Sequence, residues 1–358
     1  MKKLLVVRSS LTSKGFTLVE LMISLVVGLV LFAGVMSIFV GMRATTAETS
    51  GYGELQENGR FALSVLTHDL LRQNFWGDFS GTLNRKVVHP NQPNNDCDGA
   101  GGANNATFPN NANDSPFVTL WGQTIGGDTD PLDCFPSSAI AGSDFLQLKR
   151  AIAAPLVNAN TDDYFIITNS TLARVYSKGD ANKAYKAITD ANAAQTSAAF
   201  DLVESTLGET IIGGGRMWQY QHHVYYVSQV TISSNTVPVL MQGRLEGTAM
   251  NFSPIIDGIE RIRFMYGIDV DQDFEVDTYL SADDMTDTLW NNAGGNKIIA
   301  VKIFVLARSV TEDMKYNNTN SYYLGGDGVD AKYTVNDNYR RLLFSSTVLL
   351  YNNVIGSY

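Results

Sequence analysis

The chain has 358 residues, with 26 Lys and Arg against 36 Asp and Glu, a formal net charge of −10, and two cysteines. That balance, without a Lys/Arg patch, argues against nucleic acid as a direct partner, because phosphate backbones are held by clustered cations. Two cysteines are too few for a disulfide-dense scaffold, and the length suffices for a sizeable core or two lobes.

The first 14 residues carry Lys2, Lys3, Arg8 and Lys14 and no acid. An apolar stretch follows from Phe16 to Met42, broken by one acid, Glu20, and residues 21–40 (LMISLVVGLVLFAGVMSIFV) hold no charge. Those twenty residues span about 30 Å as a helix, one bilayer crossing. The basic leader stays cytoplasmic by the positive-inside rule, which sends the remainder outward. A conventional secretory signal would be cut after its apolar core at small residues. Here that position reads Gly41-Met42-Arg43-Ala44-Thr45-Thr46, a poor fit. A carboxylate inside a membrane-length helix is costly and calls for a partner.

Gly15-Phe16-Thr17-Leu18-Val19-Glu20, read with the leader before it, resembles the processing site of type IV prepilins. The resemblance implies that a prepilin peptidase/methyltransferase cuts after Gly15 and methylates the new amine on Phe16. It also implies that Glu20 meets the N-terminal amine of a neighbouring subunit during assembly. The physics agrees, since an unperturbed α-amino group titrates near ~7.7–8.0 and is largely cationic at neutral pH. Bringing the two charges together in lipid relieves the desolvation cost of each and sets a register. The bland alternative is a plain signal anchor with Glu20 near the interface.

Helical periodicity resumes in residues 54–75 (ELQENGRFALSVLTHDLLRQNF), with Leu55, Ala62, Val65, Leu66 and Leu70 on one face. Gly51, Gly53 and Gly59 lie in or before it, and each glycine costs a helix up to ~1 kcal/mol, so this is a place to bend or melt. Gly34 and Gly41 are other candidates. Trp76, beside Gly77, is expected to pack where the helix ends. Residues 89–116 (HPNQPNNDCDGAGGANNATFPNNANDSP) are dense in Asn, Gly, Pro and Asp and read as a long surface loop burying little apolar area. Cys97 and Cys134 both fall in the exported part, where oxidation is permitted, and are expected to pair across this region. Residues 158–163 form a second polar stretch before the strand-like YFIITN, and residues 178–199 a third, either a short helix or irregular.

Strand patterns dominate the rest: residues 143–148, 217–227, 258–266, 297–308, and a final run at 342–351 (LLFSSTVLLY) expected to be buried. A long N-terminal helix followed by many strands indicates an α+β fold, antiparallel sheet packed on the outer half of the helix. Four segments are expected: a leader (1–15), a membrane and assembly helix (16–42), its periplasmic continuation (43–76) and a β-rich domain (77–358).

The run Asp269-Val270-Asp271-Gln272-Asp273-Phe274-Glu275-Val276-Asp277 puts oxygen ligands at loop positions resembling a calcium site, with the Glu275 carbonyl also available. Phe274 and Leu280 replace the glycine and bidentate glutamate of an EF-hand, although Asp283 or Asp284 offers a substitute. The competing reading is a solvated acidic turn between strands, so Ca²⁺ is an optional ligand and no cofactor is required. His68, His89, His222 and His223 show no metal or nucleophile spacing, and adjacent strand residues such as His222 and His223 face opposite ways. Trp218, Tyr220, Tyr225 and Tyr226 are expected in the sheet core.

Residues 55–62 (LQENGRFA) with Asp69-Leu70-Leu71-Arg72 resemble the helix of the PilW family of minor pilins. So do Tyr266-Gly267-Ile268-Asp269, residues 305–309 (VLARS) and residues 339–348 (YRRLLFSSTV). The resemblance implies a non-enzymatic subunit that primes pilus assembly at or near the fibre tip. Implied partners are the prepilin peptidase, other minor and major pilins and the inner-membrane assembly platform. The implied location is the inner membrane, with a periplasmic head, and then the pilus. The alternatives are a minor pseudopilin of a type II secretion system, which would share the N-terminal chemistry, and a tip adhesin.

Overall fold

A computed structural model describes residues 15–83, 92–99, 102–109, 116–127, 130–156, 163–170, 173–176, 216–232, 235–325 and 331–355. The chain divides into two compact units, Met1–Gly53 and Glu54–Tyr358. Helix α1, Leu18–Leu70, belongs in part to each. In the first unit its large apolar side chains are exposed from Leu18 to Met42. In the second unit Leu55, Ala62, Leu66 and Leu70 are buried to 2% or less, the stripe read from the sequence.

The helix does not melt at its glycines: 53 residues are helical through Gly34, Gly41, Gly51, Gly53 and Gly59. Isolated glycines cost about 1 kcal/mol each, which an intact ladder of hydrogen bonds tolerates. Gly59 has a packing role instead, for a Cβ there would lie 2.1 Å from the Phe344 ring. The helix also stops earlier than residue 76. A left-handed Asn74 (φ 56°) turns the chain, and its N–H donates to Lys149 O at 3.1 Å. Beyond it Trp76 is buried against Tyr220, with ring centroids 6.0 Å apart.

The strands are β1 Leu120–Thr124, β2 Asp144–Leu156, β3 Phe165–Thr168, β4 Ala173–Tyr176, β5 Arg216–Ile232, β6 Asn235–Glu246 and β7 Ala249–Asp257. They form an antiparallel sheet whose spine is β5. β2 runs along one side of β5, while β3 and then β6 share the other, with β4 and β7 outside them. A second antiparallel sheet has the order β13-β10-β8-β9, from β8 Ile259–Asp269, β9 Thr278–Ser281, β10 Lys297–Arg308 and β13 Arg341–Leu349. β11 Ser321–Tyr323 and β12 Lys332–Thr334 make a small hairpin, α2 is Asp287–Trp290 and α3 is Tyr351–Ile355. The fold is therefore α+β, an apolar N-terminal helix ahead of a mainly antiparallel domain.

β10 is nearly continuously apolar because it is central, with β8 and β13 on its two sides. Ser143 and Asp144 stitch the two sheets together. Ser143 Oγ donates to Ile262 O at 3.1 Å, and Phe264 N–H donates to Asp144 Oδ2 at 2.8 Å. Asp144 is fully buried, which pushes its carboxyl up to about 7 even though Arg263 lies 3.0 Å away. Arg341, at the start of β13, is clamped between Glu260 (2.5 and 2.8 Å) and Asp337 (2.6 and 2.7 Å).

Two expectations are corrected. The final run is an edge strand rather than a buried one, since β13 has a neighbour only in β10 and alternate residues face solvent. The Asn-rich segment is in part core: residues 104–109 are buried, with Asn104, Asn105, Thr107 and Phe108 at most 2% exposed, while Gln92, Asn94, Asn95 and Asp98 lie at the surface as expected. Its amides supply the hydrogen bonds that regular structure would otherwise provide. Asn104 Oδ1 accepts from Gly99 and Ala106 N–H, its Nδ2 donates to Cys97 O and Gln147 Oε1, and Asn105 Oδ1 accepts from Val118 N–H. Beneath it the fully buried Lys149 ammonium donates to Asn104 O (2.8 Å) and Val118 O (3.1 Å) and sits 4.7 Å over the Phe117 ring.

Candidate assembly site

Gly15 and Phe16 precede α1, and Phe16 is 82% exposed. Thr17 starts the helix as its N-cap, and Glu20 sits three residues on, in the first turn. Thr17 Oγ1 accepts from Glu20 N–H at 3.3 Å, while Glu20 Oε2 accepts from both Thr17 N–H and Thr17 Oγ1–H at 2.9 Å. This reciprocal pair is a capping box. It gives the carboxylate local partners at a helix end whose free N–H groups favour negative charge. Sequence reading missed Thr17, although Thr-x-x-Glu before an apolar run is its signature. The new N-terminus at Phe16 would lie one residue from the cap, at the same end of the helix. The leader before residue 15 lies outside the described residues.

At the other end of α1, Asp69 ties the helix to the long sheet. Arg150 Nε donates to its Oδ1 at 2.7 Å, Tyr225 Oη donates to its Oδ2 at 2.9 Å, and His223 Nδ1 lies 2.5 Å from Oδ2. Burial alone would raise the Asp69 carboxyl, but His223 and Arg150 outweigh it and hold the group well below the usual carboxylate range. His222 faces the opposite side of β5, 2.7 Å from Thr107 Oγ1, and burial keeps its ring neutral. Both histidines are thus buried structural groups that share no ligand, while His68 is exposed and His89 is outside the described residues. Trp218, Tyr220, Tyr225 and Tyr226 lie in the core as expected.

Cys97 and Cys134 are disulfide-bonded, anchoring the Asn-rich segment. The stretch 178–199 lies outside the described residues. A pocket of about 280 Å³ lies among Asn74, Phe117, Asn292, Lys297, Asn352 and Asn353. Much of its polar lining is already engaged: Asn74 Nδ2 donates to Asn353 Oδ1, Asn353 Nδ2 to Ile298 O and Asn352 Nδ2 to Gln73 O.

The acidic run forms the β8–β9 turn. Carboxylate oxygens of Asp269, Asp271 and Asp273 lie within 4.8 Å of one another, whereas Glu275, Asp277, Asp283 and Asp284 are not in that group. Asp269 accepts from the N–H groups of Gln272 (2.6 Å) and Phe274 (3.1 Å), and Asp277 accepts from Val270 N–H (2.7 Å). Gln272 and Phe274 both adopt positive φ, 68° and 67°. Asp271 is raised by desolvation and by the charges of Asp273 and Asp277. Calcium takes roughly six to eight oxygens, so three converging carboxylates offer part of a shell to a cation. The turn is already closed by its own amides.

An exposed apolar helix with an acid in its first turn, preceding a β-rich domain, is the arrangement expected of a type IV pilin-like chain. Consistent with that class, residues 11–36 match the prokaryotic N-terminal methylation motif. A family model described as Type IV Pilus-assembly protein W matches residues 224–352. The matched region runs from the second half of β5 to α3 and contains the motifs read at residues 266–269, 305–309 and 339–348, but not the helix motif. Among solved structures the chain is similar to a type IV-like pilin, TTHA1219 from Thermus thermophilus, at 12% identity. That likeness covers 60% of this chain and 82% of the other, with a TM-score of 0.26. No curated protein matches the chain.

Proposed function

We propose that this chain is a non-enzymatic minor pilin that primes assembly of a type IV filament and occupies a position at or near its tip. The observation that carries the reading is a helix whose large apolar side chains are exposed from Phe16 to Met42, headed by Glu20. Such a surface needs lipid first and neighbouring helices afterwards. Prepilin peptidase would free and methylate the Phe16 amine. That amine, on one subunit, and Glu20, on the next, would then exchange their local or aqueous partners for each other in the assembly. The partners are other minor and major pilins and the inner-membrane platform, with the head in the periplasm until the chain enters the pilus. The bulk of the head, Glu54–Tyr358, supports an end position over uniform packing along a shaft.

Counting surface pili by electron microscopy in a deletion strain, with and without functional retraction, tests priming. Loss of pili that returns when retraction is blocked is the expected result. Normal piliation in both backgrounds refutes priming and favours a secretion pseudopilin or a dispensable adhesive tip. Glu20→Ala is expected to be processed but poorly incorporated, and wild-type incorporation would remove Glu20 from the mechanism.

A further inference from the structure

β13 has one partner, β10, and two backbone contacts fix which of its residues face that partner. Ser309 N–H donates to Arg340 O and Leu350 N–H donates to Ile299 O, bracketing a ladder that pairs Val301 with Val348 and Phe304 with Ser345 without a register shift. Alternation in an antiparallel ladder then turns the N–H and C=O groups of even-numbered residues toward β10 and those of Leu343, Ser345, Thr347 and Leu349 outward. Among the described residues no backbone bond is made by that outer edge.

Open edges are ordinarily shortened, charged, bulged or interrupted by proline. β7 shows such protection, with Pro254 in the strand and a register shift in its partner ladder. β1, β4 and β9 are only four or five residues long. β13 has nine residues, and beyond the buried Arg341 it contains no charge, proline or glycine. Leu343 and Leu349 are 38% and 48% exposed beside that edge.

The sequence of the edge identifies its occupant. Residues 342–350 read LLF-SST-VLL, a near palindrome about Ser346. An antiparallel second copy centred there would set Leu343 opposite Leu349 and Ser345 opposite Thr347, with Phe344 opposite Val348. Apolar pairs and Ser–Thr pairs are favourable cross-strand neighbours. The outward-facing groups also coincide, since residues 343, 345, 347 and 349 of each strand meet groups aimed at them, giving about eight hydrogen bonds.

We infer that β13 is a homotypic docking edge, at which a second copy of this chain extends the four-stranded sheet across a two-fold axis at Ser346. Because that axis is normal to the sheet, the helices packed on it run in opposite directions in the two copies.

The full chain in detergent provides the test. Ser346→Cys introduces the sole free thiol, because Cys97 and Cys134 are bonded to each other. The two copies of residue 346 form a non-hydrogen-bonded pair, Cα atoms ~4.5 Å apart, a separation that a disulfide spans. Mild oxidation is expected to give a covalent dimer with Ser346→Cys and far less with Thr347→Cys, which faces Ser345 of the other copy. No dimer, or equal yields from both variants, overturns the register. In sedimentation equilibrium, Thr347→Pro, which deletes only an outward N–H, is expected to weaken self-association by about tenfold or more with the melting temperature kept. If that variant melts early, Thr347→Lys gives the same reading with the backbone intact. Unchanged association in a folded variant, or a monomer at all concentrations in the wild type, refutes the inference.

Discussion

Asp69 locks the C-terminal end of α1 to β2 and β5, and Asp69→Asn measures that lock. The carboxylate is 5% exposed and its guanidinium partner, Arg150, has a side chain 11% exposed, so the substitution leaves a cation buried without its counter-charge. Removing one member of a buried pair costs ~3–5 kcal/mol, a large share of the ~5–15 kcal/mol that stabilises an ordinary domain. The sign with pH follows from the depressed carboxyl. Its contribution is fully present above the unfolded value near ~3.9 and is lost as pH falls through the lower folded value. Asp144 acts oppositely, because a folded value of about 7 makes the folded state take up a proton first, so its contribution improves as pH falls from 7 toward 4. Urea unfolding of residues 54–358, wild type against Asp69→Asn at each pH from 7 to 3, cancels the Asp144 term in the difference. The expected difference is ~3–5 kcal/mol at pH 7, shrinking at the acid end. A difference below ~1 kcal/mol at pH 7, or one constant with pH, would refute the lock.

Gly15→Val is expected to leave the chain at full length in membranes, and a normally shortened chain on an immunoblot would remove the cleavage assignment. Thr17→Val deletes half of the capping box, worth ~0.5–2 kcal/mol at a helix start. Reduced helix protection in residues 18–21, measured by hydrogen exchange in detergent, is expected, and unchanged protection would show the cap to be idle. Gly59→Ala adds up to ~1 kcal/mol of helix propensity but pushes a methyl into Phe344, for which overpacking costs ~1–3 kcal/mol. A lower melting temperature is expected, turning into a gain when Phe344→Leu is added, and a gain without that second change would show the contact to be loose. Chelating divalent ions is expected to leave the melting temperature unchanged, because the acidic turn closes on its own amides. Calorimetry with Ca²⁺ on wild type and Asp271→Ala decides whether Asp269, Asp271 and Asp273 bind the ion in addition.

The N-terminal motif was legible because it is local. Gly15, Phe16 and Glu20 lie within six residues, and an apolar stretch of membrane length needs no tertiary contact to be recognised. β10 was legible for a related reason, since a central strand announces itself as an apolar run whatever surrounds it. Illegible features depend on residues far apart in sequence. Gly59 looks like a helix breaker until Phe344, 285 residues away, is laid across it. The Asn-rich segment reads as solvent-exposed by composition. The burial of residues 104–109 depends on Gln147 and Lys149 of β2 and on the Cys97–Cys134 bond, none of which composition reports.

The two ends of α1 handle their acids by opposite means, and the contrast bears on assembly. Asp69 is enclosed by Arg150, His223 and Tyr225, a permanent arrangement that no partner need complete. Glu20 is exposed and, among the described residues, is hydrogen-bonded by Thr17, close to the proposed processing site. A hydroxyl and one amide offer the carboxylate only dipoles, whereas under the proposed assembly an incoming α-ammonium would add a full opposite charge, whose Coulomb attraction is large in lipid. In the proposed mechanism the cap lowers the cost of carrying Glu20 in the unassembled chain and is exchanged on assembly. Replacing Thr17 by a residue that binds Glu20 tightly, such as Thr17→Lys, is therefore expected to permit processing yet slow incorporation into pili. Unimpaired incorporation of that variant would show that Glu20 need not be free to exchange partners.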